Sequence, residues 1–164
     1  MGETSTIIIG PMEKDDLEQV LAIENVAFTM PWSRTLFLSE FRNRNISLMM
    51  VSREASPERS IIAYTVCWVI VDEVHILDLA TRPDRLRQGI GRQLAVAALV
   101  EAHKRGARQA FLEVRESNIA ARMLYLGMGF TQTMVRKEYY DQPVEDALIM
   151  SLDTAMYRKL IDQG

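Results

Sequence analysis

The sequence is short of the residues that would assign it to several classes of protein. Its 164 residues hold one cysteine, Cys67, so no disulfide forms within the chain, and a reducing, cytoplasmic setting is expected. Cys67 lies inside an apolar run with no histidine near it, which reads as core filling rather than as a nucleophile. The only histidines, His75 and His103, are too isolated for a metal site, which needs three or four ligands, and no metal is expected. No stretch reaches the roughly 18 apolar residues of a membrane-crossing helix. The opening MGETSTIIIGPMEKDD lacks the basic start and long apolar run of a secretory signal. Gly2 with its following hydroxyl residues matches a myristoylation signal only weakly, and no membrane partner is expected. The net charge of -3 excludes a nucleic-acid binder that relies on overall charge, so no direct nucleic-acid contact is expected.

What is present reads as one α/β domain, taken as 1–164 with a core over about 6–153 and a C-terminal tail at 154–164. A chain 48% hydrophobic can bury a sizeable core at this length, and the ten methionines suit adaptable filling of it. Residues 6–10 predict a strand. Asp15 to Phe28 predicts a helix, with Leu17, Val20, Leu21 and Phe28 at helical spacing and acidic residues in the first turn. Pro31 breaks it, and Ser33 caps a second helix carrying Leu36, Phe37 and Phe41. Strands follow at 46–51, 61–71 and 75–81. The runs IIAYTVCWVIV and HILDLAT are too continuous for a sheet with one wet face. A helix over Arg92 to Arg105 stops at Gly106, a strand occupies AFLEV (110–114), and a short helix opens near Ser117 or Asn118 and closes at Gly127 to Gly129. Two strands remain, around 131–140 and 146–152. The resulting β-α-α-β-β-β-α-β-α-β-β order implies a mixed sheet.

The chemistry concentrates where RLRQGIGRQLAVAALVEA (85–102) enters the long helix. A P-loop needs a Lys-Ser/Thr pair that is missing here, and the dinucleotide fingerprint G-x-G-x-x-G/A meets Leu94 in its third place. The remaining physics is general. Gly89 and Gly91 let the backbone approach a bulky anion, the first helical amides point at it, and Arg87 and Arg92 add charge. The plain alternative is a tight helix entry with no ligand. Glu113 puts a carboxylate inside the apolar AFLEV. Taken alone, it is either a strand-end glutamate paired with a neighbour such as Arg115 or a working group. Asp78 is either structural or lines an acceptor site.

The order strand, glycine turn, helix, carboxylate-bearing strand, then a helix with Asn118 and Tyr125 resembles the GNAT family of N-acetyltransferases. Within that family it is similar to the bacterial ribosomal-protein-alanine N-acetyltransferases, which have near counterparts of MPWS, RQGIGR, LEVRESNIAARMLYLGMGF and RKEYY followed by EDALIM. The resemblance covers most of residues 10–153. It implies a single GNAT domain: a mixed, mostly antiparallel sheet of about seven strands flanked by helices, with a splayed cofactor cleft. The implied co-substrate is acetyl-CoA. Its pyrophosphate would sit on the turn Arg87, Gln88, Gly89, Ile90, Gly91 and Arg92, and its pantetheine arm along Leu79, Ala80 and Thr81 and beside Asn118. Leu86 stands where the family carries Gln or Arg, which leaves the clasp to backbone amides and to Arg87 and Arg92.

The resemblance also implies that Glu113 is the general base and that Tyr125 serves the departing thiolate. A phenol near pKa 10 is a weaker acid than a thiol near 8.5, so full proton transfer is uphill by about 2 kcal/mol. A hydrogen bond that strengthens as charge builds on sulfur is the better expectation. Freeing an α-amine, of pKa about 7.7–8.0, costs about 1–1.4 kcal/mol at neutral pH, against about 4.6 for a lysine. A carboxylate base therefore suits a protein N-terminus, and by resemblance the acceptor is the N-terminal alanine of a small-subunit ribosomal protein. Pro31, Trp32, Tyr139 and Tyr140 are expected to wall the acceptor site, with core packing as the alternative. Other functions kept open are acetylation of a small-molecule amine or a lysine, a non-catalytic acyl-CoA sensor, and a nucleotide-binding regulator.

Overall fold

The structure, a computed structural model, describes residues 5–164; Gly2, and with it the weak match to a myristoylation signal, lies outside the described residues. Strand β1 (Ile7–Pro11) leads through a 3-10 turn (Lys14–Asp16) into helix α1 (Leu17–Ala27) and helix α2 (Arg34–Arg42). Then come β2 (Ser47–Glu54), β3 (Ile61–Ile70), β4 (Glu73–Thr81), α3 (Ile90–Lys104), β5 (Gln109–Arg115), α4 (Ile119–Met128), β6 (Thr131–Asp141), β7 (Val144–Leu152) and α5 (Thr154–Asp162). The seven strands form one sheet in the order β1-β2-β3-β4-β5-β7-β6. Every pairing is antiparallel except β4 with β5, because α3 is the one connection that crosses over between adjacent strands.

The unbroken apolar character of the central strands has a simple cause: helices cover both of their faces. Leu94, Ala98 and Leu99 of α3 pack with Ile62, Val74 and Leu112 on one side. Val20 and Ile23 of α1, with Phe37 and Phe41 of α2, pack on Val51, Tyr64 and Val66 on the other. Ser33 caps α2 as expected, its hydroxyl accepting from the Leu36 amide at 3.2 Å.

Strand β2 runs on to Glu54, past the expected end at 51, and three helical boundaries differ from expectation. The segment 154–164 is not a tail but contains α5. Asp153 caps it by accepting from Met156 N at 2.9 Å, and Tyr157 and Leu160, three residues apart, bury against α3. The helix expected from Asp15 begins as a 3-10 turn, because Asp16 turns back to accept from the Glu13 amide at 2.8 Å and is held in a buried ion pair with Arg53 at 3.0 Å. Helix α3 starts at Ile90, two residues before the expected Arg92, because Gly89 in the left-handed region already closes the turn.

Candidate active site

The cleft follows from sheet register. β4 and β5 pair only from Glu73↔Gln109 to Ile76↔Leu112, yet β4 continues to Thr81 and β5 to Arg115. Past Leu77, then, the two strands splay and one edge of β4 is left without a strand. The Arg82 amide donates to the Ile62 carbonyl of β3, so alternation turns the main-chain groups of Leu79 and Thr81 to that open edge and those of Ala80 to β3.

The glycine turn closes the C-terminal end of the same edge. Arg87 (φ 60) and Gly89 (φ 75) are both left-handed, which folds consecutive amides toward one side. A Cβ on Gly89 would meet nothing within 4 Å, whereas one on Gly91 would meet Thr81 Oγ1 at 3.4 Å. The space above Gly89 is open and the turn lies tight against the end of β4. The first intrahelical bond runs from Gln93 N to Gly89 O, leaving the amides of Ile90, Gly91 and Arg92 unused by the helix. Only the backbone of Ile90 is available there, since its side chain is core. Arg87 and Arg92 are exposed and make no ion pair among the described residues. Their neighbours are committed instead: Arg85 pairs with Glu54, Arg82 pairs with Asp84 at 2.6 Å, and Gln88 accepts from Arg85 at 3.1 Å. The free positive charge therefore sits at the two arginines that the sequence singled out.

Helix α4 brings Asn118 and Tyr125 to the splayed region, and the two are differently employed. Asn118 is the N-cap, its side-chain oxygen accepting from Ala121 N at 3.1 Å, so one half of its amide is spent on the helix. Tyr125 is buried and packs edge-on to Phe130, centroids 5.4 Å apart. Its hydroxyl finds no hydrogen-bond partner among the described residues, unlike that of Tyr157, which donates to the Leu99 carbonyl at 2.6 Å. Burial raises the Tyr125 phenol well above its ordinary value, and the nearby Cys67 and Asp78 side chains would add to the effect on ionising. It stays protonated and keeps a free donor.

On the opposite face of the sheet a cleft of about 630 Å³ opens between the α1–α2 loop and the β6–β7 hairpin. Trp32, Glu113, Tyr139 and Tyr140 all line it, as does Arg136. Pro31 is exposed and not among the lining residues, because the chain turns there and presents Trp32 inward. The hydroxyl of Thr29 donates to the Gln142 carbonyl at 3.3 Å and ties the two walls together. Glu113 forms an ion pair, but with Arg136 at 3.1 Å and not with Arg115. Arg115 instead pairs with Glu145 at 3.4 Å and lies over the Tyr140 ring at 4.0 Å. The Tyr139 phenol is raised by its hydrogen bond to Glu113, and burial pushes that of Tyr140 up to about 12. Both tyrosines are neutral hydrogen-bonding groups around the Glu113 carboxylate.

Arg136, His75 and Phe111 were not singled out by the sequence reading. Two of them had a legible signal: residues 73, 75, 111 and 113 alternate along β4 and β5 and so share the face of Glu113. Asp78 does not line the cleft; it is buried beside Tyr64 and Glu24. Cys67 is fully buried with its thiol pushed up to about 12, which makes it a poor nucleophile. No group of three or more His, Cys, Asp or Glu side chains is placed to hold a metal ion among the described residues. No helix among them is long and apolar enough to cross a membrane.

A splayed β4–β5 pair, with an open glycine turn on one side and a carboxylate-bearing cleft on the other, has close counterparts among known proteins. The chain is 35% identical over 150 residues to the [ribosomal protein bS18]-alanine N-acetyltransferase of Escherichia coli, covering 90% of this chain and 98% of that one. It is 32% identical over 148 residues to the protein of that name from Haemophilus ducreyi, covering 88% and 99%. The crystal structure of the ribosomal-protein-S18-alanine N-acetyltransferase from Escherichia coli superposes with a TM-score of 0.80 at 34% identity, over 91% of this chain and 94% of that one. Residues 17–130 match the model of the acetyltransferase (GNAT) family, and the chain belongs to that family as an N-acetyltransferase.

Proposed function

We propose that this chain transfers the acetyl group of acetyl-CoA to the N-terminal amine of a protein, and that the acceptor is the N-terminal alanine of ribosomal protein bS18. The name shared by its full-length relatives supports the acceptor. The observation that carries the chemistry is the open β4 edge ending in the Gly89 turn, which fits an extended arm tipped by a diphosphate. Leu79 and Thr81 supply main-chain partners along the arm. The turn supplies the amides of Ile90, Gly91 and Arg92, and Arg87 and Arg92 the countercharge. Because two arginines and three amides do this work, Leu86 in place of a polar side chain is tolerated.

Glu113 faces the acceptor cleft, where an entering ammonium replaces Arg136 as its partner. As general base it takes one proton from the α-amine, whose neutral form is within about 1.4 kcal/mol at pH 7. The amine nitrogen then attacks the thioester carbon directly, in a ternary complex. Tyr125, protonated and with an unspent donor, stabilises the sulfur as it leaves. Asn118 offers its remaining amide hydrogens to the arm, and Trp32, Tyr139 and Tyr140 hold the first residues of the peptide. No step calls for a metal.

Incubating the protein and acetyl-CoA with short peptides of varied N-termini, and reading the products by mass spectrometry, tests the proposal. N-α-acetylation of a peptide with the bS18 N-terminus ahead of the other peptides is expected. Acetylation confined to lysine side chains or to small amines overturns it.

A further inference from the structure

We propose that Asp78, Tyr64 and Glu24 form a buried proton-sharing chain that holds the Trp32 wall of the acceptor cleft against β4, so that one proton inside the protein sets acceptor affinity. Glu24 is 1% exposed, Asp78 6% and Tyr64 fully buried, and they come from α1, β4 and β3. Glu24 Oε1 accepts from the Trp32 amide at 2.7 Å, and Oε2 accepts from the Tyr64 hydroxyl. That hydroxyl also lies 3.4 Å from Asp78 Oδ2.

The proton inventory follows from these contacts. A phenol has one hydrogen, and here it goes to Glu24. The contact between the Tyr64 oxygen and Asp78 is a hydrogen bond only if Asp78 carries a proton and donates it. Two bare carboxylates this deeply buried, with no cation among the groups acting on Asp78, would repel each other, and the Tyr64 hydroxyl and the Leu79 amide offset that less than burial and Glu24 oppose it. The groups facing Asp78 are Glu24 from α1, Tyr64 from β3 and, further off, Tyr125 from α4. Both tyrosines are raised by burial, so neither ionises before Asp78. Burial, reinforced by Glu24, holds the Asp78 carboxyl up at about 9. The proton is therefore present at neutral pH and leaves in mildly alkaline solution.

Trp32 is held by the bond from its amide to Glu24 and by a tilted ring contact with Phe37, centroids 5.4 Å apart, at the margin of the α1–α2 core. Loss of the proton sets two charges against each other and loosens Glu24, and with it the Trp32 amide. These three are positioning residues: none lines the cleft, and each acts through the Trp32 backbone.

The inference rests on the peptide-acetylating reading, so two measurements keep the two apart. Carbon-13 NMR of the side-chain carboxyls reads the proton without any activity. One aspartic carboxyl is expected to remain protonated at pH 7, to titrate near pH 9 and to vanish in Asp78→Asn; a spectrum with every carboxyl ionised at pH 7 overturns the proposal. Steady-state kinetics with a bS18 N-terminal peptide reads the positioning. Tyr64→Phe is expected to raise peptide KM about tenfold and leave acetyl-CoA KM within about twofold. The wild-type peptide KM is expected to climb above about pH 9, and Asp78→Asn, whose amide keeps a donor, to remove that climb. Equal rises in both KM values, or an alkaline climb retained in Asp78→Asn, overturn it. If no peptide is acetylated at all, the proposed function falls, and the carboxyl spectrum with Trp32 fluorescence in a Trp68→Phe background still decides this inference. An alkaline change in Trp32 emission that Asp78→Asn abolishes supports it, and a flat titration overturns it.

Discussion

Arg136 on β6 reaches over β7 to place its guanidinium 3.1 Å from the Glu113 carboxylate on β5. Both partners are partly exposed, at 49% and 34%, so the pair contributes no more than about 1 kcal/mol to stability. If holding the hairpin were the only role of Glu113, breaking the pair from either side would have the same effect. Glu113→Gln is expected to lower kcat by about 10²–10⁴, and Arg136→Gln by no more than about tenfold, with both variants keeping their melting temperature within a few degrees. Acetyl-CoA affinity by calorimetry should be unchanged in Glu113→Gln, and equal losses of kcat in the two variants would remove the base from the mechanism.

Tyr125 and Tyr157 form a matched pair for separating catalysis from stability. The Tyr157 hydroxyl is bonded to Leu99 O, and Tyr157→Phe should cost about 1 kcal/mol of stability by chemical denaturation, with kcat intact. Tyr125→Phe loses no hydrogen bond within the protein and should leave stability within about 0.5 kcal/mol. Its kcat should nevertheless fall by about 10²-fold, the effect of removing one donor to developing charge. A stability loss without a rate loss in Tyr125→Phe would return this tyrosine to the core.

Asn118 caps α4 and, in the proposed function, also contacts the cofactor arm, and different substitutions separate the two. Asn118→Ala removes the α4 cap and should cost about 1 kcal/mol. Asn118→Asp keeps an N-cap acceptor, and the negative charge suits a helix N-terminus, so stability is retained. It also replaces the amide hydrogens by charge. Weaker acetyl-CoA binding in Asn118→Asp, measured by calorimetry, is the signature of contact with the arm; unaltered binding leaves Asn118 as a cap alone.

Gly89 tests the turn. Its φ of 75° costs a side-chain-bearing residue about 1–2 kcal/mol, and the added Cβ of Gly89→Ala meets no atom within 4 Å. The whole effect is thus backbone strain and, in the proposed function, a partly filled diphosphate seat. A lower melting temperature and weaker binding of both acetyl-CoA and free CoA are expected together, whereas a stability loss with full affinity would place the diphosphate elsewhere.

The sequence carried most of the sheet and its helices because those signals are local. Alternating or continuous apolar runs marked β2 to β5, and capping residues opened α2 at Ser33 and α4 at Asn118 and closed α4 at Gly129, where expected. Helix α5 escaped because its burial depends on Tyr157 finding the Leu99 carbonyl 58 positions away, which no local pattern shows. At the site, glycines and charged neighbours announced the turn, and Glu113 stood out as a carboxylate in an apolar strand. Arg136 did not, because it meets Glu113 only through the order β5-β7-β6. Nor did Glu24, which reads as one polar residue among several on α1 until the fold sets it against Tyr64 and Asp78.

Asp78 gives the stability curve of the whole protein a pH slope of definite sign. Its carboxyl is held at about 9 in the folded state, against about 3.9 when unfolded. Below about pH 4 it is protonated in both states and the fold keeps its full contribution. Between about 4 and 9 the unfolded chain has released the proton and the folded chain has not. Folding must then take a proton up, and stability falls as pH rises, by up to about 1.4 kcal/mol per pH unit for an independent group. Asp78→Asn has no proton to take up. Its melting temperature should exceed that of the wild type at pH 8 by more than it does at pH 5, with the difference levelling off above about pH 9. A difference that shrinks as pH rises would mean that Asp78 is ionised in the native protein and that the Tyr64 oxygen has another partner.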